Sequence, residues 1–479
     1  MKQKTFYINT IGCQMNVYDS ERMSNQLSKL GYDVVSSPSE ADLIIVNTCA
    51  VREKAEQKVF SFLGRLAALK RKKPELLIGV GGCVAQQEGE RMIKRVPWID
   101  FIFGTRAIGR LSQIVDRVAQ KRCRIIDIEM KDTIEMLESD LHRHQEGKAS
   151  AFVTIMRGCD NYCTYCVVPY VRGREISRVP DKIVEEIKIL VDQGVREVTL
   201  LGQNVNSYGK KEGLCSFPEL LHRVNRIAGV RRIRFTTSHP KDLSEELINA
   251  FGDLSKLCRH IHLPVQAGSN RILKRMNRKY SREQYLKKIE QLRRIDAGIA
   301  VTSDFMVGFP GETRADFKET LRLIRQVEYD GVFAFKYSDR PNAPAAGYTD
   351  KVPEEEKSTR LQELLELQEG FTRRKNLSLV GSTQLILVDG FSKEEVSRHP
   401  APNPPRPEPS ERDIEWTGRT SSNKIVNFIQ NSPPDAATEI FPGRLINVKI
   451  EKAFSHSLWG APKKEPEGHQ VKGEKNHAA

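Results

Sequence analysis

Three cysteines share one short stretch, Cys159-Asp160-Asn161-Tyr162-Cys163-Thr164-Tyr165-Cys166, at the spacing C-x3-C-x2-C. Three thiolates on one loop can hold three irons of a cubane cluster and leave the fourth without a protein ligand. Open coordination is what separates a catalytic metal site from a structural one. An open iron can chelate the amino and carboxylate groups of S-adenosylmethionine. One electron from the reduced cluster then breaks a carbon–sulfur bond and yields a 5′-deoxyadenosyl radical, chemistry that belongs to the cofactor while the protein supplies position and exclusion. The rival use of such thiols is structural zinc, which takes four ligands and usually pairs two separated hairpins.

Three more cysteines, Cys13, Cys49 and Cys83, lie far apart but share a context. Each directly follows a candidate strand: Ile8-Asn9-Thr10-Ile11-Gly12-Cys13, Val46-Asn47-Thr48-Cys49 and Val80-Gly81-Gly82-Cys83. In a parallel sheet all strand carboxyl ends point to one edge, so these loops converge on one crevice. The glycines before Cys13 and Cys83 permit sharp turns and close backbone approach. That placement suits a second three-ligand cluster; three separately buried thiols are the alternative. Cys123, Cys215 and Cys258 share no such placement and receive no role.

The elements that must position these residues form three blocks. Residues 1–120 alternate strand and helix patterns: strands at Phe6–Ile11, Leu43–Thr48, Leu76–Gly81 and Phe101–Phe103, with helices at Asp19–Leu30, through Lys70 and over Gln87–Arg95. This is a doubly wound parallel α/β domain. Residues 121–149 read as a linker, polar and without clear period from 131. Across 150–378 the alternation restarts, with strands Phe152–Arg157, Glu197–Leu201, Ile233–Thr237, Ile261–Val265, Val301–Val307 and Val332–Tyr337, the makings of a partial (β/α)6 barrel. A charged helix, Glu354–Leu377, leads out of it. Over 379–456, Gln384–Val388, Ile425–Phe428 and Leu445–Ile450 suggest a small antiparallel β-barrel. The Pro-rich stretch 400–407 reads as an exposed loop, and the tail at 457–479, charged from Ala461, as disordered.

The chain has 479 residues, enough for two to four domains, and a net charge of +14 that favours a polyanionic partner; a generally solvated basic surface is the alternative that charge alone leaves open. Candidate nucleic-acid contacts are Glu415–Lys424, which mixes Trp416 with cations and hydroxyls, and the basic run Arg271–Lys279. A polar hairpin is the plain alternative for the first. Lys70-Arg71-Lys72-Lys73 reads as a helix carboxyl end favoured by the macrodipole. No apolar run spans a membrane and the N-terminus lacks a signal-like segment, so a cytoplasmic protein with no membrane partner is expected. Nine cysteines in that compartment argue for metal or catalytic thiols over disulfides.

The C-x3-C-x2-C loop is the signature of the radical S-adenosylmethionine superfamily. Thr10–Asn16, Asn47–Arg52, Gly81–Gln86, Cys166–Glu175 and Leu201–Tyr208 add a closer likeness. Over about residues 4–460 the chain resembles the methylthiotransferases, which join an N-terminal cluster domain to a radical core and a C-terminal RNA-binding barrel of the TRAM type. Gln14-Met15 after the first cysteine resembles the branch acting on N6-isopentenyladenosine at position 37 of tRNA. Siblings that modify threonylcarbamoyl-adenosine tRNA or a ribosomal-protein aspartate carry other residues there.

The resemblance implies two [4Fe-4S] clusters, on Cys159, Cys163 and Cys166 and on Cys13, Cys49 and Cys83, with S-adenosyl-L-methionine contacts near Ser238, Gln266, Gly308, Gly311 and Glu312. An ordinary βα turn is the equal alternative for the last three. It further implies a sulfur donor and a reducing system such as flavodoxin or ferredoxin. The reaction would replace hydrogen at carbon 2 of adenine by a methylthio group, a position with no leaving group and no acidic proton. Both clusters must then face one cavity, so the N-terminal domain should cap the barrel mouth. One departure is Asn342-Ala343, where the family more often has Gly-Thr. A non-catalytic zinc protein that binds RNA is the rival of another class.

Overall fold

The computed structural model describes residues 3–50, 53–121, 123–130, 147–398, 414–430 and 439–463. The Pro-rich stretch 400–407, most of the expected linker and the tail from residue 464 lie outside them. The chain divides into two compact units, Met1–Thr372 and Arg373–Ala479.

The first unit begins with a six-stranded parallel sheet: β1 (Lys4–Ile11), β2 (Tyr32–Val34), β3 (Leu43–Thr48), β4 (Leu77–Gly82), β5 (Phe101–Phe103) and β6 (Ile125–Asp127), in the order β2-β1-β3-β4-β5-β6. The period of two in strand side chains explains the two layers. Leu43 and Ile45 pack on one face with Phe6, Met23, Leu27 and Val115; Ile44 and Val46 pack on the other with Val59, Leu63 and Met92. Helices therefore cover both faces.

Three expectations change here. The first helix starts at Gln14, not Asp19, because Cys13 and Asn16 close a capping box at its end. The Gln87–Arg95 helix is two, Cys83–Glu88 and Glu90–Arg95, parted by Gly89 at a φ of 50°. The expected linker contributes β6, which pairs with β5 in parallel.

Six further parallel strands follow in two ladders. β7 (Ser150–Thr154), β10 (Glu197–Leu201) and β11 (Arg232–Phe235) form one; β12 (His260–His262), β13 (Ala300–Val307) and β14 (Gly331–Lys336) form the other. Between them, Ile233 of β11 forms a parallel bridge to Leu257, in the segment that leads into β12. Helices pack outside around one apolar core that includes Val153, Val198, Ile233, Ile261 and Val301. The expected strand Phe152–Arg157 breaks after Thr154. Its end, β8 (Met156–Arg157), turns to pair antiparallel with β9 (Ile176–Ser177), and this small ladder closes the base of the C-x3-C-x2-C loop.

The second unit is a closed five-stranded barrel, β15 (Thr383–Phe391), β16 (Ile414–Thr420), β17 (Ile425–Gln430), β18 (Leu445–Ala453) and β19 (Leu458–Pro462), in the order β15-β16-β17-β19-β18. The pairings are antiparallel except β17 with β19. Closure leaves no free sheet edge. β19 lies within the stretch expected to be a disordered tail: Leu458 is fully buried in the barrel core and holds that end of the chain.

Candidate active site

β1, β3 and β4 are neighbours in the sheet, and their ends are in register: Ile11 opposite Thr48, and Thr48 opposite Gly82. Cys13, Cys49 and Cys83 follow those residues by one or two positions. Adjacent strands lie about 4.8 Å apart, so the three loops leave the sheet side by side. The turns are fixed by buried amides. Asn16 Nδ2 donates to Asn47 Oδ1 and to the Thr48 carbonyl, each at 3.0 Å, and Asn47 Nδ2 donates back to the Asn16 carbonyl at 2.8 Å. Gly82 has a φ of 92°, and a Cβ there would stand 2.4 Å from the Thr48 carbonyl oxygen.

The thiols of this set differ. Cys49 and Cys83 are buried, while Cys13 is exposed. A hydrogen bond with the Cys49 thiol, together with the Arg172 charge and the Asn16 and Met15 amides, lowers the Cys13 thiol to about 6. Burial pushes Cys83 up, and Arg172 beside it works the other way.

Arg172 comes from the helix Val168–Arg172, just beyond the C-x3-C-x2-C loop. Its Nη2 is 2.9 Å from Asp19 Oδ2, and Arg157 Nη2 is 3.7 Å from Asp19 Oδ1. All three side chains are buried, Asp19 completely. Burial works against the Arg172 charge, but Asp19, Cys83 and Cys13 hold its guanidinium above the ordinary value. Burial, with Arg22 and Arg172 as like charges, brings Arg157 down to about 9. Arg106 donates to the Arg172 carbonyl and Thr105 to that of Val171, while Val167 and Val171 enter the core of the first sheet. The helix Gln14–Lys29 lies over the carboxyl ends of β7 and β10, with Met15 and Tyr18 against Leu201. The first domain thus covers the barrel mouth, as expected.

The C-x3-C-x2-C loop is pinned from many sides. Gly158 N donates to Gln203 Oε1 at 2.5 Å, Cys159 N to the Gly173 carbonyl at 3.2 Å, and Thr164 N to the Met276 carbonyl at 3.1 Å. Asn277 Nδ2 donates to the Tyr162 carbonyl at 2.9 Å, and Lys241 Nζ to Asn161 Oδ1 at 2.5 Å. Burial pushes the thiols of Cys159 and Cys166 up to about 12. Cys163 meets two buried donors: Arg278 Nη1 at 3.3 Å and His239 Nε2 at 3.8 Å. His239 Nδ1 accepts from Lys241 N at 3.2 Å, which assigns the ring proton to Nε2, facing the sulfur.

Among the described residues, no three His, Cys, Asp or Glu side chains gather closely enough to hold a single metal ion. A cubane asks for three thiolates on three different irons, wider apart, and both sets offer three thiols without a fourth cysteine.

The other sequence candidates fall into three kinds. Ser238 is buried beside His239, and its Oγ has no hydrogen-bond partner among the described residues. Gln266 is buried at a φ of 75°, its backbone bridged to Phe305. Gly308, Gly311 and Glu312 build a braced turn: Glu312 accepts from the amides of Gly308 and Phe309 and pairs with Arg360 at 2.9 Å, so its carboxylate already serves the fold. Asn342 sits at a φ of 68°, a conformation asparagine tolerates better than other non-glycine residues, which explains how it replaces the family's glycine.

Both basic candidates are largely structural. In Arg271–Lys279, Arg271 pairs with Asp316, Arg275 with Asp350, and Arg278 is buried. In the barrel, Trp416 packs on Phe391 inside the core, with ring centroids 4.7 Å apart, so its ring is no stacking platform. Lys70, Arg71 and Lys72 do form a helix end, with Lys70 bound to Asp100 at 2.8 Å. Asp19, Arg157, Arg172 and His239 were given no role from sequence, and Arg278 was read only as part of a basic run.

Two family models match the chain: one described as "Uncharacterized protein family UPF0004" over residues 5–104, and the radical SAM superfamily over residues 153–324. A tRNA-2-methylthio-N(6)-dimethylallyladenosine synthase of Desulfosudis oleivorans is 51% identical over 95% of this chain and 96% of its own. The enzyme of the same name from Syntrophus aciditrophicus is 49% identical over 96% and 95%. Among solved structures, the radical S-adenosylmethionine methyltransferase TsrM of Kitasatospora setae superposes with a TM-score of 0.55 at 12% identity, over 72% of this chain and 77% of its own, a likeness of fold.

Proposed function

We infer, from the premise that this chain belongs to the family of the tRNA-2-methylthio-N(6)-dimethylallyladenosine synthases, that it is a radical S-adenosylmethionine methylthiotransferase acting on tRNA. Its cofactors are S-adenosylmethionine and two [4Fe-4S] clusters. The reaction places a methylthio group on carbon 2 of N6-isopentenyladenosine at position 37, and the work belongs in the cytoplasm with its tRNA. A sulfur donor and a reductant such as flavodoxin or ferredoxin complete the requirements.

In this reading Cys159, Cys163 and Cys166 hold the radical cluster, and Cys13, Cys49 and Cys83 the auxiliary one. When bound, the radical cluster supplies the electron that cleaves S-adenosylmethionine. The chain's own residues do the rest. The unsatisfied Ser238 hydroxyl and Gln266 orient S-adenosylmethionine, and the braced Gly308–Glu312 turn shapes that strand end. His239 and Arg278 donate toward Cys163 and offset the negative charge of its sulfur. The helix Gln14–Lys29 closes the mouth and excludes water.

One observation carries the reading: the helix that follows the radical loop presents Arg172 to Cys83 and Cys13 while packing into the first sheet's core. The two cysteine sets are thereby tied into one unit. The test is anaerobic reconstitution of a C13A/C49A/C83A variant. Iron should fall to half, 5′-deoxyadenosine should still form, and methylthiolated nucleoside should vanish from the mass spectrum. Methylthiolation by that variant, or zinc in place of iron in the native protein, would overturn the reading.

A further inference from the structure

Beside the radical loop lies an open cavity of about 370 Å³ between the segment Lys241–Ile248 and the helix Arg282–Ile295. Four lysines line it, Lys241, Lys279, Lys287 and Lys288, against one carboxylate, Glu245. Two of the four are committed. Lys288 Nζ donates to the Pro240 carbonyl at 2.7 Å, and Lys241 Nζ to Asn161 Oδ1 of the radical loop. Lys279 and Lys287 are exposed and have no hydrogen-bond or ion-pair partner among the described residues.

The backbone shows how Lys279 comes to face the cavity. Asn277 and Lys279 both take left-handed conformations, with φ of 59° and 62°. Non-glycine residues rarely adopt them, and two in three positions mark a turn held by its surroundings. Asn277 is held by the Tyr162 carbonyl, and Arg278 between them points inward to Cys163. The same turn therefore sends one cation to a radical-loop thiol and the next into the cavity. Tyr280, on the cavity wall, packs its ring against His239.

We propose that this lysine-lined cavity binds backbone phosphates of the RNA substrate beside the nucleotide being modified, with Lys279 and Lys287 as the contacting cations. The proposal rests on the tRNA reading above. An unpaired ammonium at a cavity that adjoins the reaction centre suits a point charge such as a phosphodiester. Such contacts carry no base information; they fix the register of the strand at the mouth.

The experiment measures binding of the reconstituted enzyme to an anticodon stem-loop RNA carrying N6-isopentenyladenosine, by fluorescence anisotropy from about 50 to 200 mM salt. Each phosphate contact contributes about 0.7–0.9 to the slope of log affinity against log salt. The K279A/K287A variant should flatten that slope by about 1.5, and K279R/K287R should restore it. Iron content and melting temperature confirm that both variants fold. K182A/K188A, on the helix Pro180–Asp192, removes the same charge elsewhere.

An unchanged slope in K279A/K287A overturns the proposal. So does an equal flattening in K182A/K188A, which would make the effect one of bulk charge. Retained RNA affinity with lost reduction by flavodoxin would reassign the cavity to an acidic protein. Failure of the native enzyme itself to bind the RNA would sink the tRNA reading instead.

Discussion

Asp19 faces both buried Arg157 and buried Arg172, and its replacement by asparagine tests how the first domain is fixed to the barrel mouth. Asparagine keeps the shape and removes the charge. At an effective dielectric of about 20, a unit pair at the 2.9 Å of Arg172 attracts by roughly 6 kcal/mol, and one at the 3.7 Å of Arg157 by roughly 4–5 kcal/mol. Desolvation offsets most of that in the intact cluster, but removing one partner strands the other charge and costs about 3–5 kcal/mol. This is a large share of the roughly 5–15 kcal/mol that holds a folded domain together. The loss should fall on the elements the cluster joins. Native-state hydrogen exchange reads it directly: amides in Gln14–Lys29 and Val168–Arg172 should exchange about 150- to 5,000-fold faster in D19N. Amides of the five-stranded barrel, in the other compact unit, should not change. Adding R157M should recover part of the protection, since it removes the surplus cation. Exchange within about threefold of native at both helices would refute the reasoning, because the cluster would then bear none of the docking.

In iron-free protein, an alkylating reagent should label Cys13 first. Its thiol is exposed and lowered to about 6, so the rate should rise through pH 6 and level off near 7, while Cys159 and Cys166, pushed up to about 12, stay unlabelled; peptide mass spectrometry reads the order, and preferential labelling of Cys166 would contradict it. Gly158→Ala should disable the radical loop alone. Its φ is 79° and a Cβ would stand 2.0 Å from the Arg174 carbonyl oxygen, so the conformational cost of about 1–2 kcal/mol is joined by a backbone collision. Iron should fall to half and 5′-deoxyadenosine formation by about 100-fold, whereas full iron and native turnover would show that the loop tolerates the shift.

Much of this was legible beforehand. β3 and β10 were bounded correctly because both are runs of apolar residues flanked by polar turns. The cysteines could be grouped because strand ends share one edge of a parallel sheet. Sequence did not show that β1, β3 and β4 are immediate neighbours in register. The start of the first helix was missed because cysteine is an unusual cap and Asn16 supplies the reciprocal bond. β16 was open to sequence only as the hairpin alternative over Glu415–Lys424, because Glu415, Arg419 and Thr417 interrupt the apolar alternation of a strand that buries Trp416 and Thr420. The electrostatic half of the site was invisible. In a chain with 76 lysines and arginines, nothing local separates a buried Arg172 or Arg278 from a solvated one.

That hidden half bears on assembly. Each cysteine set has one buried arginine reaching a thiol: Arg172 at Cys83 and Arg278 at Cys163. A buried cation without a full counter-charge destabilises the fold that holds it. Asp19 lies between the two cations at the domain junction, and the Cys13 thiol, lowered to about 6, adds counter-charge at Arg172 near neutral pH, while the Cys159 and Cys166 thiols, pushed up to about 12, stay neutral. Metal ligation deprotonates thiols and leaves each site negative, so the same arginines that weaken the iron-free chain strengthen the loaded one. In the proposed two-cluster reading, the cost of burying Arg172 and Arg278 would therefore link cluster loading to the docking of the first domain on the barrel.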